Sequence, residues 1–313
     1  MDKSQLVEIA CLYYEKKMTQ QDIAIRLGLS RMAISRAIQR CHQEGIVEIK
    51  INYENSYVML EEEILQKYHI EKALIVPFDN DQKVLRRFLK EGACNILHQY
   101  IHDHQTIGVG WGSTLHSLHK FIPHANKKSY PNTLFVPLLG GYGNTDLKVN
   151  ANNIASDLAN YYDSKTLMLH APAIVDKKSL KNSLCSDKHI QEIFNQYQQL
   201  DLALISIGNP AYEEATVYQS GYFSYGDIKE LKDANIQCDI VSCIYLDGQG
   251  KEHQLELLER TIGISAELFK KIPTVIAIAG GCNKHHAIQL ALKNNAIHVL
   301  VTDEMTARML LEE

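Results

Sequence analysis

The chain has 313 residues, 45% of them hydrophobic and 22% charged, with a formal net charge of −5. That composition excludes a disordered polymer, and no apolar run reaches the ~20 residues a helix needs to cross a bilayer. Seven scattered cysteines with no CxxC pair argue against a disulfide framework or a thiolate zinc site and point to a reducing cytoplasm.

The opening MDKSQLVEIA lacks the cationic start and apolar stretch of a signal peptide. Residues 1–51 carry a net +2 and the remainder −7. A cationic head on an acidic body fits a nucleic-acid-binding N-terminus. An acidic body must hold any anion locally, with backbone N–H groups and a few cations.

In chain order, Ile9, Leu12 and Tyr13 predict one helix face running to about Lys16. Thr19 caps a second helix, with Asp22 at the position of a capping-box carboxylate and Ile23, Ala24 and Leu27 as the apolar stripe. Gly28 ends that helix by adopting the left-handed conformation, Leu29 is expected as a buried turn residue, and Ser30 caps a third helix. The inner face of the third helix is Ile34, Ala37, Ile38 and Cys41, and Gly45 stops it. This is a helix-turn-helix with Ala24 at the crossing. Arg31, Ser35, Arg36, Gln39 and Arg40 then face outward, where Arg reads guanine or phosphate, Gln reads adenine and Ser bonds either. Thr19, Gln20 and Gln21 at the second helix's start, with Ser30, complete the expected DNA-contacting set. Ile46–Ile51 alternates as a short strand, a candidate wing.

Polar Asn52–Ser56 marks a linker, giving a DNA-binding domain over 1–52 and a second domain over 53–313. Leu60, Ile64, Leu65 and Tyr68 lie at helical spacing, on a helix that either dimerises or packs on its own domain. Strands are expected at Ala73–Pro77, Thr106–Gly110, Thr133–Leu139, Thr166–His170, Leu202–Ile207, Ile240–Leu246, Thr274–Ala279 and His298–Thr302. Helices lie between most of them, including Val84–His102, Asn153–Tyr161 and His285–Asn294. Alternating strands and helices predict an α/β domain with a mostly parallel sheet.

Such sheets bind ligands at their C-terminal strand ends. Four strand ends carry distinctive loops: Gly108–Thr114 followed by an apparent helix, Gly140-Gly141, Ile207–Pro210, and Ala279–Lys284 opening another helix. The first and fourth have the chemistry of anion sites. Glycines allow close backbone approach, Ser113 and Thr114 donate hydroxyls, and Lys284 supplies charge in a first helical turn where a cation is otherwise disfavoured. No GK[ST] follows the glycines, so Walker A is absent, and Gly108-x-Gly110-x-Gly112 has the wrong spacing for a dinucleotide fold. Trp111 either covers a ligand or plugs the core beneath the loop. Asn150 and Asn152 line the site or cap the following helix, and Asn153 reads as its cap.

Leu-Tyr-Tyr-Glu, Thr-Gln-Gln-Asp-Ile-Ala, Leu-Gly-Leu-Ser-Arg and Glu-Gly-Ile-Val in the first fifty residues resemble the DNA-binding domain of SorC-family regulators. So do Gly-Val-Gly-Trp-Gly-Ser-Thr (108–114), Pro-Leu-Leu-Gly-Gly (137–141), Ala-Pro-Ala-Ile-Val (171–175), Arg-Thr-Ile-Gly-Ile (260–264), Ala-Gly-Gly-x-x-Lys (279–284) and Val-Thr-Asp-Glu-x-Thr-Ala (301–307), in order along nearly the whole chain. The resemblance implies a cytoplasmic transcriptional regulator of carbohydrate metabolism. It would comprise a helix-turn-helix domain and a Rossmann-like α/β effector-binding domain similar to sugar-phosphate isomerases and glucosamine-phosphate deaminases. Its partners would be double-stranded operator DNA, a non-covalently held phosphorylated sugar or polyol in place of any other cofactor, and copies of itself in a dimer or tetramer.

The resemblance puts phosphate on Gly112, Ser113, Thr114 and Lys284, and sugar hydroxyls near Asp239. Gly110, Gly140, Gly141, Gly280 and Gly281 complete the expected effector set. Cys238 stands where the family has glycine, and Met32-Ala33-Ile34 where Pro-Thr-Val is common. Leu139 occupies the place of the lysine in imine-forming relatives, so covalent trapping is not expected.

The competing enzymatic reading, a sugar-phosphate isomerase or deaminase with an appended domain, needs an acid/base pair such as Asp239 with His170. A metal-responsive regulator would draw on His98, His102 and His104, on His116 and His119, or on His285 and His286. None has the adjacent Glu of HExxH, and no metal is expected.

Overall fold

A computed structural model of the chain describes residues 1–49, 57–123, 127–141, 149–212, 215, 218 and 223–312. Internal contacts divide the chain into two units, Met1–Asn52 and Tyr53–Glu313. The Asn52–Ser56 linker lies outside the described residues.

The first unit is three helices around one small core. α1 (Lys3–Ala10) passes into a π-helical turn (Cys11–Glu15), followed by α2 (Gln20–Leu27) and α3 (Arg31–Gln43). Leu6, Ile9, Leu12, Ile23, Ala24, Ile34, Ala37, Ile38 and Cys41 are buried together. Gly28 turns the chain with φ +65° and has no atom near a would-be Cβ, so conformation rather than space requires glycine there. Leu29 is exposed, against expectation. Its N–H bonds the Ala24 carbonyl, which fixes the backbone of the turn while the side chain projects away from the core. The wing also departs from expectation. Residues 46–49 form no strand, because the N–H groups of Ile46 and Val47 both fold back onto the Cys41 carbonyl. Lys50 and Ile51 lie outside the described residues.

The second unit is built on seven parallel strands in the order β1 (Lys72–Val76), β10 (Val299–Asp303), β9 (Thr274–Ile278), β5 (Leu202–Ile205), β2 (Thr106–Val109), β3 (Leu134–Pro137), β4 (Lys165–Thr166). Alternate residues feed opposite faces. Leu202, Leu204, Ile276 and Ile278 join one buried cluster, and Ala203, Ile205, Val275 and Ala277 the other. That two-sided burial explains the near-continuous apolar runs in the sequence. The helices are α4 (Val58–Tyr68), α5 (Gln82–Tyr100), α6 (Ala151–Tyr161), α7 (Lys178–Cys185), α8 (Lys188–Gln196), α9 (Tyr225–Asp233), α10 (Ala266–Phe269), α11 (His285–Lys293) and α12 (Glu304–Glu312). α4 buries Ile64 and Tyr68 in its own unit, where the Tyr68 hydroxyl and the Lys67 ammonium both donate to the Leu310 carbonyl of α12.

Three expected strands are corrected. Ile240–Leu246 is a hairpin joining β7 (Ile236–Ile240) to β8 (Ile244–Asp247), and β6 (Ile207–Gly208) pairs with β7 to complete a small antiparallel sheet. The three-residue hairpin loop Val241–Cys243 places Val241 and Ser242 both at φ +53°, left-handed positions without the usual glycine or asparagine, so the apolar run concealed it. Leu202–Ile207 splits between the two sheets at Ser206. Thr166–His170 shortens to Lys165–Thr166 because Asn152 bonds both the N–H (2.7 Å) and the carbonyl (3.1 Å) of Leu169, drawing the chain off the sheet.

Candidate functional site

A cavity of about 640 Å³ opens at the carboxyl ends of β2, β5 and β9. β2 lies between β3 on one side and β5 on the other, where the strand order reverses, the place where parallel sheets bind ligands. Of the residues expected from sequence, Gly112, Ser113, Thr114, Asp239, Gly280 and Lys284 line it, together with Trp111 and the Gly208-Asn209-Pro210 loop. The two separated glycine loops therefore do converge.

Gly110, Gly140, Gly141 and Gly281 are not among the lining residues. The Gly110 N–H continues the sheet onto the Leu204 carbonyl. Gly140 passes so close to residues 171–172 that a Cβ would meet the Pro172 carbonyl at 2.6 Å, and Gly141 donates to the Ala171 carbonyl. This Gly-Gly pair serves segment packing, and the neighbouring Leu139 is buried. The Gly281 N–H is taken up by Asp303 (2.7 Å) and Thr306 (3.0 Å). The same buried carboxylate accepts from the Thr306 hydroxyl (2.6 Å) and N–H (3.0 Å), so the start of α12 braces the Gly280-Gly281 turn.

The first loop is not followed by an α-helix. It runs through turns, with His116 N–H on the Gly112 carbonyl, into a single 3₁₀ turn at Leu118–Phe121. Its donors are consequently the hydroxyls of Ser113 and Thr114 and whatever N–H groups the turns leave. Gly112 sits at φ +131° with a would-be Cβ 2.5 Å from the Ser206 hydroxyl, so glycine is required on both counts. That hydroxyl donates to the Trp111 carbonyl (2.9 Å), tying the first loop to the end of β5. Trp111 lines the cavity and packs with Leu139, Val149 and Phe223, which bears out the core-plugging expectation.

Lys284 reaches in from the turn before α11 and donates to the Ile207 carbonyl at 2.9 Å. Burial, reinforced by the Arg86 charge and opposed by Asp239, lowers its ammonium to about 8. Asp239, at the end of β7, is 3% exposed and accepts the Ser242 N–H at 2.7 Å. Burial pushes its carboxyl up to about 7, against the opposing Ser242 hydrogen bonds and the Lys284 charge.

Arg86, on the second turn of α5, is the charged cavity residue that sequence reasoning missed. Its Nη1 lies 3.5 Å from the Ser113 hydroxyl, and its Nε holds the Gln82 carbonyl. The only signal for it was a doublet, Arg86-Arg87, on a helix expected for other reasons. Gln82, Asn209 and Ser206 also line the cavity, with Asn209 bonding the Asn283 carbonyl across it (2.7 Å). Asn150, not Asn153, caps α6 by accepting the Asn152 N–H. His170 is exposed and does not line the cavity, so no acid/base pair with buried Asp239 is formed there. Among the described residues no group of histidine, cysteine or carboxylate side chains could hold a metal.

In the first unit, Arg31, Arg36, Gln39 and Arg40 are exposed on α3 and Ser35 is half-exposed. The Thr19 and Ser30 hydroxyls are engaged as caps for the N–H groups of Asp22 and Ala33. Asp22 receives the Thr19 hydroxyl (2.6 Å) rather than closing a capping box. Arg40 is paired with Glu44 at 2.6 Å. Thr19, Gln20, Gln21 and Arg31 line a shallow groove with Tyr13, Tyr14 and Lys17.

Residues 54–312 match the Sugar-bind family of sugar-binding domains, and residues 9–48 match a winged helix-turn-helix DNA-binding family. The sorbitol operon regulator of Klebsiella pneumoniae is 30% identical over 98% of this chain and 97% of its own length. The deoxyribonucleoside regulator of Bacillus subtilis is 27% identical over 100% and 99%. The crystal structure of the full-length Klebsiella regulator SorC superimposes with a TM-score of 0.79 over 99% of both chains at 28% identity. A DeoR-family transcriptional regulator from Listeria monocytogenes covers 82% of this chain and all of its own, with a TM-score of 0.74 and 30% identity.

Proposed function

This chain belongs to the SorC family of sugar-binding transcriptional regulators, and from that premise we propose that its effector is a phosphorylated sugar or polyol held in the cavity at the ends of β2, β5 and β9. It is a sugar-responsive DNA-binding regulator rather than an enzyme. The observation that carries the phosphate reading is the convergence of Arg86 and Lys284, with the Ser113 and Thr114 hydroxyls, on one cavity of an acidic unit. Each cation raises the cost of the other, and a dianion between them removes that cost. Asp239 is the acceptor for sugar hydroxyls. As the buried neutral acid it can also donate, and an analogue lacking the matching hydroxyl would leave it unpaired, which gives selectivity.

Regulation is linkage: an effector that binds one conformation or assembly better shifts the affinity for operator. Gln20, Gln21, Arg31, Ser35, Arg36 and Gln39 form the operator-contacting set in this reading, with Thr19 and Ser30 holding the helix starts and Arg40 flanking. We place the protein in the cytoplasm as a dimer or tetramer on a palindromic operator, as its membership implies, and no helix among the described residues is long and apolar enough to cross a membrane.

The test is a thermal-shift panel of ketose and polyol phosphates beside their unphosphorylated counterparts and inorganic phosphate. A phosphorylated ligand at 100 times its dissociation constant adds ~2.7 kcal/mol. A free sugar that stabilises the protein more than its own phosphate ester would refute the phosphate assignment.

A further inference from the structure

Met32 is the second residue of α3, and its side chain is 65% exposed. At 100° per residue it projects in the same direction as Arg36 and Gln39, opposite the buried stripe of Ile34, Ala37, Ile38 and Cys41. It takes no part in the core of its unit. A large apolar side chain thus stands in the middle of the polar face of the second helix of a helix-turn-helix, near its start. Residues near the start of such a helix meet the edges of bases in the major groove. The apolar group that groove offers is the thymine C5-methyl. An unbranched, polarisable thioether adapts well to a small methyl target.

We propose that Met32 is a specificity-determining residue that reads a thymine methyl in the operator. Four residues along α3 is ~6 Å, so the thymine lies within about two base pairs of the base contacted by Arg36. The assignment rests on the DNA-reading role of the first unit, and it adds a contact that hydrogen-bond chemistry alone would not supply.

The test uses the full-length protein. Duplexes are selected from a random library, and each thymine of the selected site is then replaced singly by deoxyuridine, which removes only the methyl group. One replacement is expected to weaken the wild type about fourfold, equivalent to the ~0.8 kcal/mol of one buried methyl, and to leave Met32→Ala unaffected. Met32→Ala should keep its melting temperature, since the side chain is exposed, and its selected sites should lose the preference for thymine at that position. If every deoxyuridine is tolerated, or if Met32→Ala pays the same penalty at the same thymine, the assignment is overturned while the DNA-binding reading stands. If no sequence is enriched at all, the DNA-reading premise falls and the assignment with it.

Discussion

Replacing Lys284 with methionine should make the protein more stable and less responsive. The ammonium, favoured up to 10.5 in solution, is held at about 8 in the cavity, so keeping it charged at pH 7 costs about 3 kcal/mol. Part of the side chain stays open to the cavity, and water reduces that cost. Methionine has a similar length and no charge, but it leaves the Ile207 carbonyl without its donor, a loss of about 1 kcal/mol. The net expectation is a gain of about 1–2 kcal/mol, or roughly 2–6 °C for a unit of this size. Trp111 is the only tryptophan in the chain and lines the cavity, so urea unfolding followed by its fluorescence reports on the larger unit alone. The sign with pH is fixed. The advantage of Lys284→Met is full below about pH 8 and disappears as pH rises to 10.5, because the wild-type lysine is then neutral in both folded and unfolded states. The wild type should gain stability from an added sugar phosphate and the variant almost none. A variant less stable than wild type at pH 7, or one stabilised equally by the phosphate, would overturn this role for Lys284.

Asp239 retains its proton to about pH 7 in the folded state, so the wild-type unit should lose stability as pH rises from about 4 through 7. Asp239→Asn should flatten that decline in urea midpoints measured at pH 5 and pH 8. If the proposed phosphate site is right, Arg86→Gln removes a charge-assisted contact and should raise the dissociation constant of a sugar phosphate about tenfold or more in calorimetry, with operator affinity unchanged. Arg36→Ala should do the reverse, losing operator binding in a mobility-shift assay while effector binding persists. Asp303→Ala takes the buried acceptor from both Thr306 donors and one of the two acceptors of the Gly281 N–H and should destabilise the larger unit by about 2–4 kcal/mol in the same urea assay.

The local chemistry of the chain was legible wherever one residue type has one physical use. Thr19, Gly28 and Ser30 announced the helix-turn-helix, because caps and left-handed turns depend on neighbours within four residues. The alternating strands and helices gave the parallel sheet, and the glycine loops gave two of the walls of the cavity. Where an apolar run had two equivalent readings, sequence failed. Ile240–Leu246 is continuous in hydrophobicity and still reverses at Val241-Ser242, since the hairpin is held by pairing with β6 and by Asp239 on the Ser242 N–H rather than by a turn residue.

Order along the chain therefore fixed the helix-turn-helix, most strands and helices of the larger unit, and the glycine loops and Lys284 as candidates for anion chemistry. The fold in three dimensions was needed to bring Arg86 to the cavity wall and to leave Gly140-Gly141 outside its lining. The physical reason is distance: capping and periodicity act over a few residues, whereas the charges that meet in this cavity are separated by almost two hundred positions and are brought together by strand order alone.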